Sequence, residues 1–255
     1  MNVNTLRRWL LPVSVAATIF VNFLATYLPL NGLDTGEISD RFQVLFVPAG
    51  YVFSIWGIIY VGLIALAVFQ SLPAQRNHSG LKRTGWLLTL TGAANSGWLF
   101  LWHYELFIWT VPVMITLLVL LIAVYRGLKP ERAAASQAEI WALHVPVSLY
   151  LGWICVATIA NITSVLYYLG WNGGGLGPVV WALIMLGVTA ALALTILLTR
   201  RDSAVLLVFV WALIGIAVKQ ADQPLVEAGA LTAAALAAIM VIKTFIPSRS
   251  KAKKG

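Results

Sequence analysis

Three short stretches of otherwise apolar text carry residues that could do chemistry. Trp56 and Tyr60 are four apart; Asn95, Trp98 and Trp102 are spaced i, i+3, i+7; Trp153, Ala157 and Asn161 are spaced i, i+4, i+8. On a helix each set shares one face. Aromatic faces stack on planar rings, and indole N–H, phenol O–H and amide groups orient a few polar substituents. Together the sets predict the wall of a pocket for a flat hydrophobic ligand. Small Ala157 leaves room between Trp153 and Asn161. The competing reading is that these side chains join helices, with the Asn amides bonding across a bundle.

Other chemistry is poorly represented. His103, near Glu105, and His144 are candidates for an axial haem ligand or a proton site, but each reads more simply as a satisfied interfacial histidine. The three His are scattered and Cys155 stands alone, so no metal cluster and no intrachain disulfide is expected. The membrane text contains no paired-carboxylate motif, and no Ser-His-Asp set stands out at equal depth. Neither a catalytic set nor a metal site is predicted, and an enzyme is the disfavoured reading.

The elements that must position these residues follow from composition. Of 255 residues, 60% are apolar and only 10% charged, and mean hydropathy is +0.88. A soluble domain carries about 25% charged residues. The numbers exclude a soluble, disordered or fibrous chain and leave an all-α, polytopic membrane protein. A crossing helix needs about 20 apolar residues. Eight runs qualify, at 9–30, 48–72, 85–104, 107–125, 140–168, 178–199, 204–218 and 228–245, the seventh being short. Counted from the external end of each helix at about 1.5 Å per residue, Trp56 lies about 12 Å deep, Asn95 about 14 Å, Asn161 about 10 Å and Tyr60 near the midplane.

The charges agree with this count. Placing eight spans puts fifteen of the seventeen Lys and Arg on one side, leaving only Arg41 and Lys219 on the other. The opposite side carries Asp34, Glu37, Asp40, Glu105, Asp222 and Glu227. The positive-inside rule then predicts a multi-pass protein of the cytoplasmic (inner) membrane with both termini cytoplasmic. The net charge of +8 reports orientation, and no nucleic-acid partner is implied. Seven of the eleven Trp (9, 86, 102, 109, 141, 171 and 181) fit an interfacial aromatic belt; Trp56, Trp98, Trp153 and Trp211 do not.

Three connecting segments are informative. The first external loop, about 31–47, could fold over the bundle mouth as a lid, with Ile38 and Phe42 facing one way on a short helix. The Gly-rich segment 171–178 reads as a flexible linker and a module boundary. The basic tail 248–255 reads as a topology anchor that could touch anionic headgroups.

At its aromatic motifs the chain resembles the TspO/MBR family of tryptophan-rich sensory proteins. The residues that carry the likeness are Tyr51-Val-Phe53-Ser-Ile-Trp56 with Tyr60, Asn95-Ser-Gly-Trp98, and Trp153-Ile-Cys-Val-Ala157-Thr158-Ile-Ala-Asn161. They occur in the family's order on spans 2, 3 and 5, and the likeness covers about residues 10–171. Phe53 to Trp56 is one residue shorter than the family spacing, Leu149 stands at a family Pro, and the first loop is acidic rather than Trp-rich. No basic residue follows Tyr167 and Tyr168 as the proposed sterol motif would require.

The resemblance implies a five-helix ligand-binding bundle (1–171); a three-helix extension (172–247) and a basic tail (248–255) lie outside the short family form. It implies that Trp56, Tyr60, Asn95, Trp98, Trp153, Ala157 and Asn161 line an intramembrane pocket for a porphyrin-like tetrapyrrole, for sensing or transport. No cofactor is required on this reading, although a porphyrin or haem-like ligand fits it. The expected partners are the lipid bilayer, a hydrophobic small molecule and, within the same reading, a second copy of the chain. The alternatives are a secondary transporter of a small hydrophobic or anionic solute, and a Trp-dependent enzyme acting on a tetrapyrrole.

Overall fold

The computed structural model describes residues 3–28, 30–132 and 134–246. It consists of long helices, named here α1 (Val3–Tyr27), α2 (Ile55–Ser71), α3 (Ser79–His103), α4 (Phe107–Arg132), α5 (Val145–Tyr168), α6 (Pro178–Thr199), α7 (Ser203–Lys219) and α8 (Pro224–Phe245). The basic tail predicted at 248–255 lies outside the described residues. Six of the spans are both long and apolar enough to cross a membrane. Helix α3 has the length but is diluted by polar residues, and α7 is apolar but only 17 residues long. The all-α polytopic fold therefore stands, with five of the eight helices longer than the apolar runs that announced them and α2 and α5 shorter. Helix α4, for example, continues past Tyr125 to Arg132, because Lys and Arg are good helix formers and suit a helix C-terminus.

Helices α1 to α5 close into a ring. α1 packs on α2 and α3, α3 on α4, α4 on α5, and α5 back on α2. Large apolar side chains such as Ile58, Val61 and Ile64 face outward, while Asn22, Thr91, Asn95, Thr110 and Asn161 face inward. That polarity is the one a lipid solvent selects, since polar groups must find partners inside the protein. Asn22 Nδ2 donates to Asn95 Oδ1 at 2.8 Å, joining α1 to α3. Asn161 Nδ2 donates to Thr110 Oγ1 at 2.9 Å, joining α5 to α4.

Helices α6, α7 and α8 pack on one another, and α7 alone of the three packs extensively on α5. Their apolar contacts form a second cluster, reached from the ring by Phe46 and Val156. The seam between α5 and α7 rests on Gly152. A Cβ added there would lie 3.0 Å from Val208 Cβ and 3.2 Å from the Val205 carbonyl oxygen. Gly152→Val is expected to cost about 1–3 kcal/mol of stability by overpacking, measured as a lower thermal midpoint in detergent. An unchanged midpoint would mean that the seam has room to spare.

Two further contacts fasten α7 to the start of α2. The Gly215 carbonyl accepts from Ala49 N at 3.0 Å, and Trp211 Nε1 donates to the Val52 carbonyl at 3.1 Å. The Trp211 ring also meets Tyr51 edge-on at 5.4 Å. A Trp with no evident reason in the sequence is thus an inter-helix clamp.

Asp202, at the basic end, is a buried carboxylate whose side chain is 0% exposed. Asp202 Oδ2 accepts from Tyr125 OH at 2.9 Å, from Ser148 Oγ at 2.8 Å and from Arg132 Nη1, while Oδ1 caps α7 at Ala204 N, 3.1 Å away. Burial alone would raise this carboxyl, but Arg132 and the Ser148 and Tyr125 hydroxyls outweigh it and hold the group below its ordinary range.

Candidate functional site

The loop between α1 and α2 builds the roof of the site. A short helix, Thr35–Asp40, starts with a capping box in which Asp34 Oδ1 accepts from Glu37 N at 2.8 Å and Glu37 Oε2 accepts from Asp34 N at 2.7 Å. This reciprocal pairing satisfies donors that a helix start leaves open. Ile38 and Phe42 both point inward and are buried, as their spacing predicts. Phe42 packs against Trp102 and Phe107, with ring centres 5.6 and 5.0 Å away.

His103, at the end of α3, holds this loop in place. Its Nδ1 lies 3.0 Å from the Leu30 carbonyl and its Nε2 3.1 Å from Thr35 Oγ1. A carbonyl only accepts, so Nδ1 carries a proton and donates to Leu30, while Nε2 and the Thr35 hydroxyl share the second bond. His103 is fully buried and saturated by the loop, which assigns it a structural task. Trp102 Nε1 adds a bond to the Thr35 carbonyl at 3.3 Å. At the rim, Arg41 pairs with Glu105 at 2.6 Å and Asp40 with Lys219. Arg41 holds the Glu105 carboxyl below its usual range.

Beneath the roof lie two spaces. The first, about 430 Å³ including its mouth, is lined by Val47, Trp98, Trp102, Trp153, Ala157 and Asn161, among others. The second, about 1400 Å³ on the same basis, is a cleft between α1, α2 and α3 that includes Asn22, Trp56, Tyr60 and Leu99. Thr35, Phe53 and Trp98 line both and stand between them. Trp98 Nε1 is buried and has no hydrogen-bond partner. In a space of this kind, such a donor is available to an acceptor on a ligand.

The aromatic walls are continuous across the two spaces. Trp56 stacks on Tyr60 at 5.5 Å and 21°, and meets Trp153 edge-on at 6.4 Å. Phe53 meets Trp153 edge-on at 5.6 Å, and Trp98 stacks on Trp102 at 5.4 Å and 18°. These separations suit stacked and edge-on aromatic pairs.

The residues singled out in the sequence separate into two groups. Trp98, Trp153, Ala157 and Asn161 line the first space, and Trp56, Tyr60 and Trp98 line the second. Asn95 lines neither; it is buried and accepts the bond from Asn22. Asn161 does both jobs, since it lines the first space while bonded to Thr110. Trp102 shares a face with Asn95 and Trp98 by its spacing, but by depth it counts with the interfacial belt. It is instead 3% exposed and forms part of the wall, because the face that carries Trp98 also carries the residue four positions on. Phe53, Thr35 and Ser39 also line the first space. Phe53 stood in the quoted motif without being selected, and the two loop residues carry no periodic signal.

A profile of the TSPO-like protein family matches residues 8–244. The chain belongs to the TSPO-like family. The match runs through α6, α7 and most of α8 as well as the ring, so the TSPO-like likeness extends well past the motifs on α2, α3 and α5. Searches of curated proteins and of solved structures find no match. Among the described residues of this TSPO-like chain, no group of three or more His, Cys, Asp or Glu could hold a metal ion.

Proposed function

We propose that this TSPO-like protein binds a planar hydrophobic ligand of the tetrapyrrole class, for sensing or transport, in the aromatic-walled space inside the five-helix ring. The observation that carries this reading is the set of Phe53, Trp98, Trp102 and Trp153 around one cavity, roofed by the loop helix, with the Trp98 N–H unspent. Without its open mouth the second space holds about 580 Å³, within the roughly 300–1,000 Å³ range of small-molecule sites, and the first about 40 Å³. On this reading the five-helix ring is the binding module, and the acidic end faces away from the cytoplasm.

The roof supplies specificity. Asp34, Glu37 and Asp40 line the wider cleft, so its rim is acidic. Carboxylates on a ligand are repelled there, which favours a neutral ring or one that enters ring-first. Titrating the full-length protein in detergent with protoporphyrin and with its dimethyl ester tests both points through quenching of Trp fluorescence. The expected result is saturable quenching by both, with the ester binding more tightly at low salt and the gap closing as salt screens the rim. Absence of saturable quenching by either would sink the proposal.

A transporter in which α6–α8 move past the ring is less well supported. Gly152, Trp211 and Asp202 fasten α7 to α5, α2 and α4, which opposes sliding at that seam.

A further inference from the structure

At the opposite, basic end lies a cleft of about 250 Å³, lined by Tyr125, Lys129, Arg132, His144, Val147 and Arg200 among others. It shares no lining residue with the aromatic site. Three of its side chains are cations at neutral pH. Arg132 is matched by Asp202. Lys129 and Arg200 form no ion pair with an acidic side chain among the described residues.

Arg200 is the informative residue. Its guanidinium sits over the Tyr125 ring, 5.5 Å from the centre, which fixes its orientation. Its Nη1 is shielded from solvent and has no hydrogen-bond acceptor. An uncompensated charged donor out of water is costly, and the cost is removed by an anion that supplies the missing acceptor. Lys129 comes from the last turns of α4 and Arg200 from the cap of α6, so two helices present positive charge to one cavity.

We propose that this cleft is a phosphate-binding site, with Arg200 and Lys129 holding the phosphate oxygens. The two unmatched charges suit a phosphate, and a guanidinium fork can hold two of its oxygens. The cleft holds more than a phosphate alone. Leu128, Val147 and the Tyr125 ring give it an apolar side, where the rest of a phosphodiester could lie. That chemistry has two sources, the headgroup of an anionic phospholipid in the adjacent leaflet and a soluble phosphorylated molecule.

Native mass spectrometry of the full-length protein in detergent separates them. Phosphatidylglycerol, phosphatidylcholine and glycerol 3-phosphate are added in turn to wild type, Arg200→Gln, Lys129→Gln and Arg126→Gln. Arg126 is exposed on the same stretch of α4 and does not line the cleft. Wild type and R126Q are expected to retain one phosphatidylglycerol, or one glycerol 3-phosphate if the source is soluble. Losing a charged hydrogen bond should weaken retention about tenfold in R200Q, with Arg200→Lys recovering part of it. K129Q changes an exposed side chain and keeps the test valid if R200Q folds poorly. Equal retention by wild type, R200Q and K129Q would overturn the site. So would equal loss in R126Q, or phosphatidylcholine held as tightly as phosphatidylglycerol with no glycerol 3-phosphate bound.

Discussion

Asp202→Ala is expected to destabilise the protein by about 3–5 kcal/mol, the cost typical of removing one partner from a buried ion pair. The carboxylate ties three helices together. Tyr125 and Arg132 come from α4, Ser148 from α5, and the α7 N-terminus is capped by the same group. Without it, the three donors to Oδ2 lose their shared acceptor and the helix loses a cap worth about 1 kcal/mol. Thermal unfolding in detergent measures the effect, and a midpoint within a degree of wild type would show that the knot does not hold the seam. Asp202→Asn keeps Oδ1 and the cap but loses the charge, so it should fall between the two. The pH dependence has a defined sign. The folded-state pKa is depressed, so the contribution is complete above the ordinary carboxylate pKa of about 3.9 and disappears as pH falls through the lower folded value. Stability near neutral pH should therefore not respond to this group, and acid should release it late.

Ala157→Phe should weaken protoporphyrin binding about a hundredfold, at a cost in stability of no more than about 1–3 kcal/mol from overpacking. Ala157 lines the first aromatic space between Trp153 and Asn161, and it is only partly buried because it faces the cavity. A phenyl ring there occupies ligand space without deleting a wall contact. Excluding a ring from two aromatic faces forfeits about 1 kcal/mol at each, plus the apolar burial, and about 2.8 kcal/mol is a hundredfold. Trp153→Ala would be a poorer test, because Trp153 packs on Phe53 and Trp56 and its loss would damage the fold directly. If Ala157→Phe binds protoporphyrin as wild type does, the ligand does not occupy this space.

The candidate site was partly legible in the sequence. Trp56 with Tyr60, and Trp153 with Ala157 and Asn161, kept the shared faces that their spacing implied. Periodicity could not say whether a polar residue on such a face meets a cavity or a neighbouring helix. Asn95 met Asn22, and only the position of α1 decided that. Trp102 counts with the interfacial belt by its depth, which says nothing about direction around the helix, although its spacing places it on the face of Asn95 and Trp98. Residues near an interface can face lipid or the bundle, and Trp102 faces the bundle. Trp211 and Asp202 were opaque for a related reason, since their partners lie 159 and 54–77 positions away in the chain.

By itself, the sequence determined that this chain is an all-α membrane protein of several spans, that its basic and acidic residues segregate to opposite ends, and that α2, α3 and α5 carry an aromatic set. Those properties follow from local rules: apolar length, charge placement and helical periodicity. The tertiary structure decided which of those aromatics share a cavity, that His103 and Trp102 bind the loop roof, and that α7 is fastened to the ring through a buried carboxylate. These depend on which helices become neighbours. Close approach at Gly152 and the inward-facing polar groups set those neighbours, and the energies involved belong to pairs of distant residues rather than to any window of the sequence.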